Sequence, residues 1–369
     1  MEIKWMLTIL GCLFYFPSTF GELKLIQVVF RHGNRAPVAS GAVYPNDPYY
    51  NKTYEPEGLG GLTNKGKLLV FRLGEFLRKR YDKFLGPIYS NQIIRFRADE
   101  VDRIMMTVEL MAAGLYPPAW RQRWNNRLNW QPVPVWTRPL ANDILYNGIF
   151  CTNHRKWRSE IEENDPALIT HQKKYKELYD YVSEHTGSNI TQQSSFYIRQ
   201  QLYAQRDLGL PLPKWTKEVF PDAELDEVAV FDFLIQSYTL PMKQLLGGIW
   251  IREWLEHVDN FLNSTQRVKR KAFMYGAHEL NIAPILIALN SFDNQIPSYA
   301  STIMFELHEI RGQLFVQVLH RHWEDLRVLE IPGCGGRMCS LKRFREIVAP
   351  VIPKDIIALC GEMDLQIPS

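Results

Sequence analysis

Leu23-Lys24-Leu25-Ile26-Gln27-Val28-Val29-Phe30 runs directly into Arg31-His32-Gly33-Asn34-Arg35-Ala36-Pro37. The first eight residues are β-rich and so apolar that they read as a central strand buried on both faces. The strand stops abruptly at Arg31-His32-Gly33, and the carboxyl end of a strand is where α/β sheets place ligands. Two arginines and a histidine within five residues can surround an anion, because the planar guanidinium donates parallel hydrogen bonds to phosphate oxygens. A neutral imidazole among guanidiniums is a nucleophile poised at a phosphorus atom. Its positive neighbours disfavour protonation even in mild acid. Gly33 lets the backbone approach a substrate closely. The residues alone also allow a solvated turn with scattered charges.

Strand–helix units flank this segment. Thr63 can cap a helix whose apolar stripe is Leu68, Leu69, Phe76, Leu77 and Tyr81. Ile93–Phe96 reads as a second strand, and Val101–Leu115 as a helix stopped by Pro117-Pro118. From Trp120 to Gly248 no clear strand is visible, while Leu168–Thr186 and Val228–Leu246 look helical. Then come a helix over Ile249–Leu262, a strand over Lys271–Tyr275, and an apolar helix to Leu289 with Pro284 in its opening turn. Thr302–Glu309 and Gln313–His320 alternate around Arg311-Gly312 as a β-hairpin. The expectation is an α/β/α sandwich with a central mixed, mostly parallel sheet and a mainly α-helical cap inserted in the chain. The core is placed at residues 22–138 and 249–369, and the cap at 139–248.

With 369 residues, 46% hydrophobic and 22% charged, the chain has ordinary globular composition, which excludes disorder and a collagen-like fibre. The net charge of +3 argues against a general nucleic-acid binder. Residues 1–21 carry Lys4, an apolar run from Trp5 to Phe16, and small residues at Thr19 and Gly21. They read as a signal peptide cleaved near Gly21, so a secreted product with no membrane anchor is expected. Cys12 leaves with it. Among Cys151, Cys334, Cys339 and Cys360, three connectivities are open. Cys334 and Cys339 flank a tight four-residue loop easily closed on itself, which leaves Cys151 with Cys360. No Cys-x-x-Cys pair suggests zinc. Sequons at Asn51, Asn189 and Asn263 fit a secreted glycoprotein.

Arg-His-Gly-x-Arg-x-Pro after a strand is the signature of the histidine acid phosphatases, and the chain resembles that family from Glu22 to Cys360. Tyr116-Pro117-Pro118, Trp130-Gln131-Pro132 and Pro332-Gly333-Cys334 add to the likeness. The turn Ala277-His278-Glu279-Leu280-Asn281-Ile282-Ala283 is similar to that of the insect venom branch. The resemblance implies a phosphate clamp of Arg31, Arg35 and Arg97, the last taken from Arg97-Ala98-Asp99-Glu100-Val101-Asp102-Arg103. It further implies His32 as nucleophile, His278 as a further phosphate donor, and Glu279 as proton donor where relatives commonly carry aspartate. No cofactor or metal is implied, since arginines supply the positive charge. Substrates are expected to be small phosphate monoesters, and a homodimer is an assembly to test. An acidic optimum follows if Glu279 must start protonated.

Two other functions compete. An inositol-polyphosphate (phytase-like) phosphatase would want extra lysines and arginines around the pocket. A secreted, non-catalytic phosphatase-like binding protein of venom or saliva has only the Glu279 departure in its favour. Other features are read as structural: His308-Glu309 within a strand, His320-Arg321-His322 as a solvated strand end rather than a metal site, and Arg267-Val268-Lys269-Arg270 as an exposed basic turn rather than a processing site. Trp120, Trp124, Trp130 and Trp136 are read as core and cap packing.

Overall fold

The computed structural model describes residues 21–38 and 44–365. The leader expected over residues 1–21 lies, but for Gly21, outside the described residues. Eight strands form one sheet: β1 (Glu22–Arg31), β2 (Ile94–Ala98), β3 (Val135–Trp136), β4 (Ala272–Ala277), β5 (Thr302–Ile310), β6 (Gln313–His322), β7 (Asp325–Val328) and β8 (Cys339–Ser340). The order is β3-β2-β4-β1-β5-β6-β7, with β8 paired to β6. Across β3, β2, β4 and β1 the strands are parallel, and from β5 onward they pair antiparallel. The parallel half carries the motif, and the Arg311-Gly312 hairpin builds the other half.

β1 is central because both its faces are apolar. Ile26, Val28 and Phe30 enter one core cluster with α1 (Asn64–Leu85) and α2 (Asp102–Leu115). Leu25 and Val29 enter the other, with helices Ile249–Asn263, Glu279–Ala288 and Leu341–Val348. This is the α/β/α sandwich. Thr63 caps α1 by accepting from Gly66 N, as its position suggested. The buried stripe of α1 is Val70, Leu73, Leu77 and Tyr81, at helical spacing. Leu68, expected in the stripe, is half exposed. Helices α1 and α2 cross closely at Gly74 and Gly114, where an added Cβ would meet the partner helix backbone at 2.1 and 2.2 Å.

Several expectations change in detail. The segment Leu168–Thr186 is two helices, Pro166–Lys174 and Lys176–Thr186, because Tyr175 leaves helical geometry. Helix Glu224–Gln236 ends well before Leu246, and a π-helical turn at Gln244–Gly248 feeds into Ile249–Asn263. Pro284 lies inside the helix beginning at Glu279, not in its opening turn. The short edge strand β3 gave no pattern long enough to read.

The tryptophan expectation is overturned. Trp120, Trp124, Trp130 and Trp136 are 71%, 59%, 39% and 54% exposed, whereas Trp250 and Trp254 fill the core. The surface rings are held by local partners: Trp120 beneath Arg121, Trp136 beneath Arg95, and Trp124 edge-on to Trp130. The strand end at His320 is not solvated either. His320 is buried against Ser301 Oγ, 2.9 Å away, because β6 runs on to His322. The structure links Cys151 to Cys360 and Cys334 to Cys339.

Candidate active site

The loop after β1 is pinned between two strand ends. The His32 N–H donates to Ala277 O at 3.0 Å, and the Ala300 N–H donates to His32 O at 3.2 Å. The next turn sits on the start of α1, where Gly33 and Gly66 meet. A Cβ on Gly33 would lie 2.5 Å from Gly66 O, and one on Gly66 only 2.1 Å from Asn34 O. Close approach, rather than a special φ, makes glycine necessary here. Asn34 donates to Asp207 Oδ2 at 2.7 Å, tying the motif to the end of helix Gln192–Asp207. An aspartate in place of Asn34 would face the Asp207 carboxylate.

His32 is buried, with Nδ1 2.8 Å from Gly33 O. Burial, reinforced by Arg103, Arg31, His278 and Arg35, holds its pKa well below the ordinary value. A neutral ring with its proton on Nδ1, donated to Gly33 O, leaves the Nε2 lone pair free. That Nε2 is 3.7 Å from Glu279 Oε2. Glu279 opens helix Glu279–Ala288. Its Oε2 lies 2.9 Å from Arg31 Nε, and its Oε1 accepts from Gln200 Nε2 at 2.8 Å. Burial alone would raise the Glu279 pKa, but Arg31 foremost, then Arg35 and His278, outweigh it and hold the carboxyl at about 2. Glu279 is therefore ionised in the free protein at mildly acidic pH.

Four of the sequence-derived residues converge on one cavity of about 440 Å³. His32, Arg35, His278 and Glu279 line it. Arg31 does not. It lies behind Glu279, with Nη1 donating to Pro297 O at 2.5 Å and its plane 4.3 Å over the Tyr299 ring. Arg97 is also absent from the lining. Its Nη2 bonds both oxygens of Asp143, at 2.6 and 2.8 Å, and its Nη1 is 3.7 Å from Glu253. The reason is strand alternation: Phe96 and Ala98 face α1 and α2, so Arg97 points to the opposite face.

Another arginine of the same stretch, Arg103, does face the cavity. It stands in the first turn of α2, lines the cavity, and has no carboxylate at ion-pair distance among the described residues. Burial, with the nearby Arg35 charge, lowers its pKa to about 10, which leaves it a cation at acidic pH. Among the described residues Arg35 likewise has only the Ala36 carbonyl as a hydrogen-bond partner. Both arginines were visible in Arg97-Ala98-Asp99-Glu100-Val101-Asp102-Arg103, but the strand in fact runs on through Arg97 to Ala98, which fixes the face that Arg97 takes. Asp99, also unassigned, holds the ring of His278, with Oδ2 2.9 Å from Nε2, while Asn147 Nδ2 donates to its other oxygen at 2.9 Å. Burial raises the Asp99 pKa, but the hydrogen bond and charge of His278, with the hydrogen bonds from Asn147 and the Glu100 backbone, together outweigh that and the carboxyl sits below its ordinary value. Gln200 had no local signal, since it reaches Glu279 only through the fold.

His308-Glu309 stays structural: His308 bonds Glu306, which Arg80 and Tyr81 also hold. The basic run Arg267-Val268-Lys269-Arg270 is largely exposed between helix Ile249–Asn263 and β4.

With this geometry in view, the profile of the histidine phosphatase superfamily (branch 2) matches residues 22–321. The chain belongs to that family. It is 36% identical over 344 residues to venom acid phosphatase Acph-1 of Apis mellifera, covering 92% of this chain and 88% of that one. It is 32% identical over 351 residues to the prostatic acid phosphatase of Homo sapiens, again covering 92% and 88%. Among solved structures, Hafnia alvei phytase in complex with tartrate superposes with a TM-score of 0.68 at 16% identity, covering 95% of this chain and all of that one. This last likeness concerns the fold alone. The enzyme class expected from the sequence, an acid phosphatase, stands on the two curated relatives.

Proposed function

We propose that the chain is a secreted acid phosphatase that hydrolyses phosphate monoesters through a phosphohistidine on His32. One observation carries this reading: Arg35 and Arg103 face the cavity with no carboxylate at ion-pair distance among the described residues, beside a neutral imidazole with a free Nε2. Unpaired guanidiniums in a sheltered site favour an anion between them. The Nε2 lone pair attacks phosphorus in line, and the bond to the leaving oxygen breaks as Glu279 protonates that oxygen. Arg35, Arg103 and His278 stabilise the charge on the phosphoryl oxygens. Water then attacks phosphorus, the N–P bond breaks, and Glu279 takes the water's proton.

Glu279 near 2 in the free protein alters the source of the proton. A phosphoryl group between Arg35 and Arg103 adds negative charge beside Glu279 and raises its proton affinity, so a substrate monoanion can bring the proton with it. The acidic optimum then tracks the ester rather than the free carboxyl. The secretory reading is supported by the apolar run Trp5–Phe16, the two disulfides and the exposed Asn51, Asn189 and Asn263. Residues 139–248 act in this reading as the helical cap, which supplies Phe196, Tyr197 and Gln200 to the cavity.

The cap side also bears on substrate class. Among the described residues no lysine or arginine beyond Arg35 and Arg103 lines the cavity, while Phe150, Phe196, Tyr197 and Leu280 do. Apolar and aromatic leaving groups fit this wall better than an inositol bearing several phosphates. The test is hydrolysis of p-nitrophenyl phosphate and inositol hexakisphosphate across acidic pH. We expect kcat/KM to favour the aryl ester by about 100-fold or more, and to fall as pH rises through about 6, where a phosphate monoester loses its second proton. Equal efficiency on both substrates would move the assignment to an inositol-polyphosphate phosphatase.

A further inference from the structure

Leu365 lines the catalytic cavity together with Ile149 and Phe150. It stands far along the chain from both, and no motif pointed to it. Its side chain is 37% exposed, so apolar surface at the cavity wall is left partly in water. A substrate that covers this surface gains the free energy of its burial.

The neighbouring chain holds Leu365 in place. Cys360 is bonded to Cys151 across 209 positions of sequence. Gly361 then turns the chain at φ 73°, where an added Cβ would lie 2.6 Å from Thr152 Oγ1. The left-handed backbone and the close approach both call for glycine. Residues 362–364 run antiparallel to residues 150–152, with Cys151 opposite Met363. The Thr152 N–H donates to Glu362 O at 2.9 Å, and the Asp364 N–H donates to Phe150 O at 3.0 Å. The Glu362 N–H donates to Thr152 Oγ1 at 3.1 Å. Arg155 closes the arrangement, with Nη1 2.8 Å from Asp364 Oδ2 and Nη2 2.6 Å from Asp364 O. The disulfide itself is buried against Leu245 and Leu246. A leucine on a segment fixed in this way has little freedom left to lose when a substrate arrives.

We propose that Leu365 is a specificity-determining residue: with Ile149 and Phe150 it forms the apolar wall that receives the leaving group of a bulky aryl phosphate, and residues 360–364 are the strap that holds it there. This inference rests on the reading of the cavity as a phosphatase site. In that reading His32, Arg35 and Arg103 fix the phosphoryl end, so the leaving group extends along the remaining lining. A fused aromatic ring system can reach the strap, whereas a methyl ester leaves Leu365 uncovered.

The test compares 2-naphthyl phosphate with methyl phosphate, using the whole protein at acidic pH. Leu365→Ala should lower kcat/KM for the naphthyl ester about tenfold, the scale of a small apolar deletion in a hydrophobic pocket. The loss should lie mainly in KM, because the contact is made before and during the reaction alike. Methyl phosphate should lose far less. Leu365→Met, close to leucine in volume, should restore most of the naphthyl efficiency. Gly361→Val keeps the disulfide but cannot adopt φ 73° without strain, so it displaces the strap. It should reproduce the naphthyl loss, and adding Leu365→Ala to it should cost little more, since the leucine has already moved. Equal losses on both esters in Leu365→Ala, with or without a lowered Tm, would make the residue structural and overturn the assignment, as would no loss on either. Naphthyl efficiency retained in Gly361→Val would overturn the strap. A wild-type protein that hydrolyses neither ester would sink the phosphatase reading itself, so the two failures are distinguishable.

Discussion

The phosphate end of the catalytic cavity is assembled from sequence neighbours, His32 with Arg35 and His278 with Glu279, each pair at the end of a parallel strand. The opposite wall comes from helix Gln192–Asp207, where Phe196, Tyr197 and Gln200 carry no recognisable spacing. The first half is rigid for topological reasons: β1 and β4 pair side by side, so the loops leaving them emerge together. The second half is placed by long-range contacts, such as Gln200 on Glu279 and Asn34 on Asp207. In the proposed mechanism, reaction chemistry belongs to the strand ends, and discrimination among leaving groups to the helical wall.

The largest effect should come from the strand-end half. His32→Ala should lower kcat by about 10⁶-fold, the scale seen when a nucleophile is removed, with an unchanged far-ultraviolet spectrum. Substantial turnover in the folded variant would take the nucleophile away from His32. Next is Glu279→Gln, at the seam between the halves. A general acid is worth about 100- to 10,000-fold. Alkyl phosphate hydrolysis should lose on that scale, while p-nitrophenyl phosphate, whose leaving group needs little help, should lose far less. Equal losses on both substrates would mean that the proton comes from elsewhere. If Glu279 serves only the start of its helix, the variant would instead lose thermal stability with no dependence on the leaving group.

The smallest effect sharpens the comparison by separating two arginines six positions apart. Arg103→Ala should cost about 100- to 1,000-fold in kcat/KM, as loss of one oxyanion-stabilising donor does. Arg97→Ala should act mainly on stability, since it strands the buried Asp143 carboxylate; breaking such a pair costs about 3–5 kcal/mol. Its signature is a lowered Tm with kcat/KM nearly retained at permissive temperature. A reversal of these two outcomes would restore Arg97 to the clamp.

These particulars show where sequence reading holds and where it stops. The central strand, its motif, the Thr63 cap and the hairpin were legible because each depends on residues a few positions apart. Periodicity and capping are local physics. The exposed tryptophans were misread because a large apolar ring says nothing about which side of it stays wet, and stacking beneath arginines keeps such rings at the surface. The face that Arg97 takes was hidden for a related reason: a strand alternates its side chains, and the sequence does not say which face meets the cavity.

Sequence by itself determined the chemistry available, a neutral histidine among arginines at a strand's end and a His-Glu pair at another. It also determined the alternation of strands and helices that brings those ends to one edge of a sheet. Tertiary structure alone decided which arginines line the cavity, that Arg31 clasps Glu279 and holds it ionised, and that Gln200 reaches in from the helical wall. The cause is distance along the chain. Arg31 and Glu279, or Gln200 and Glu279, meet only when the whole core closes, and their charges and hydrogen bonds gain strength from the burial that closure creates.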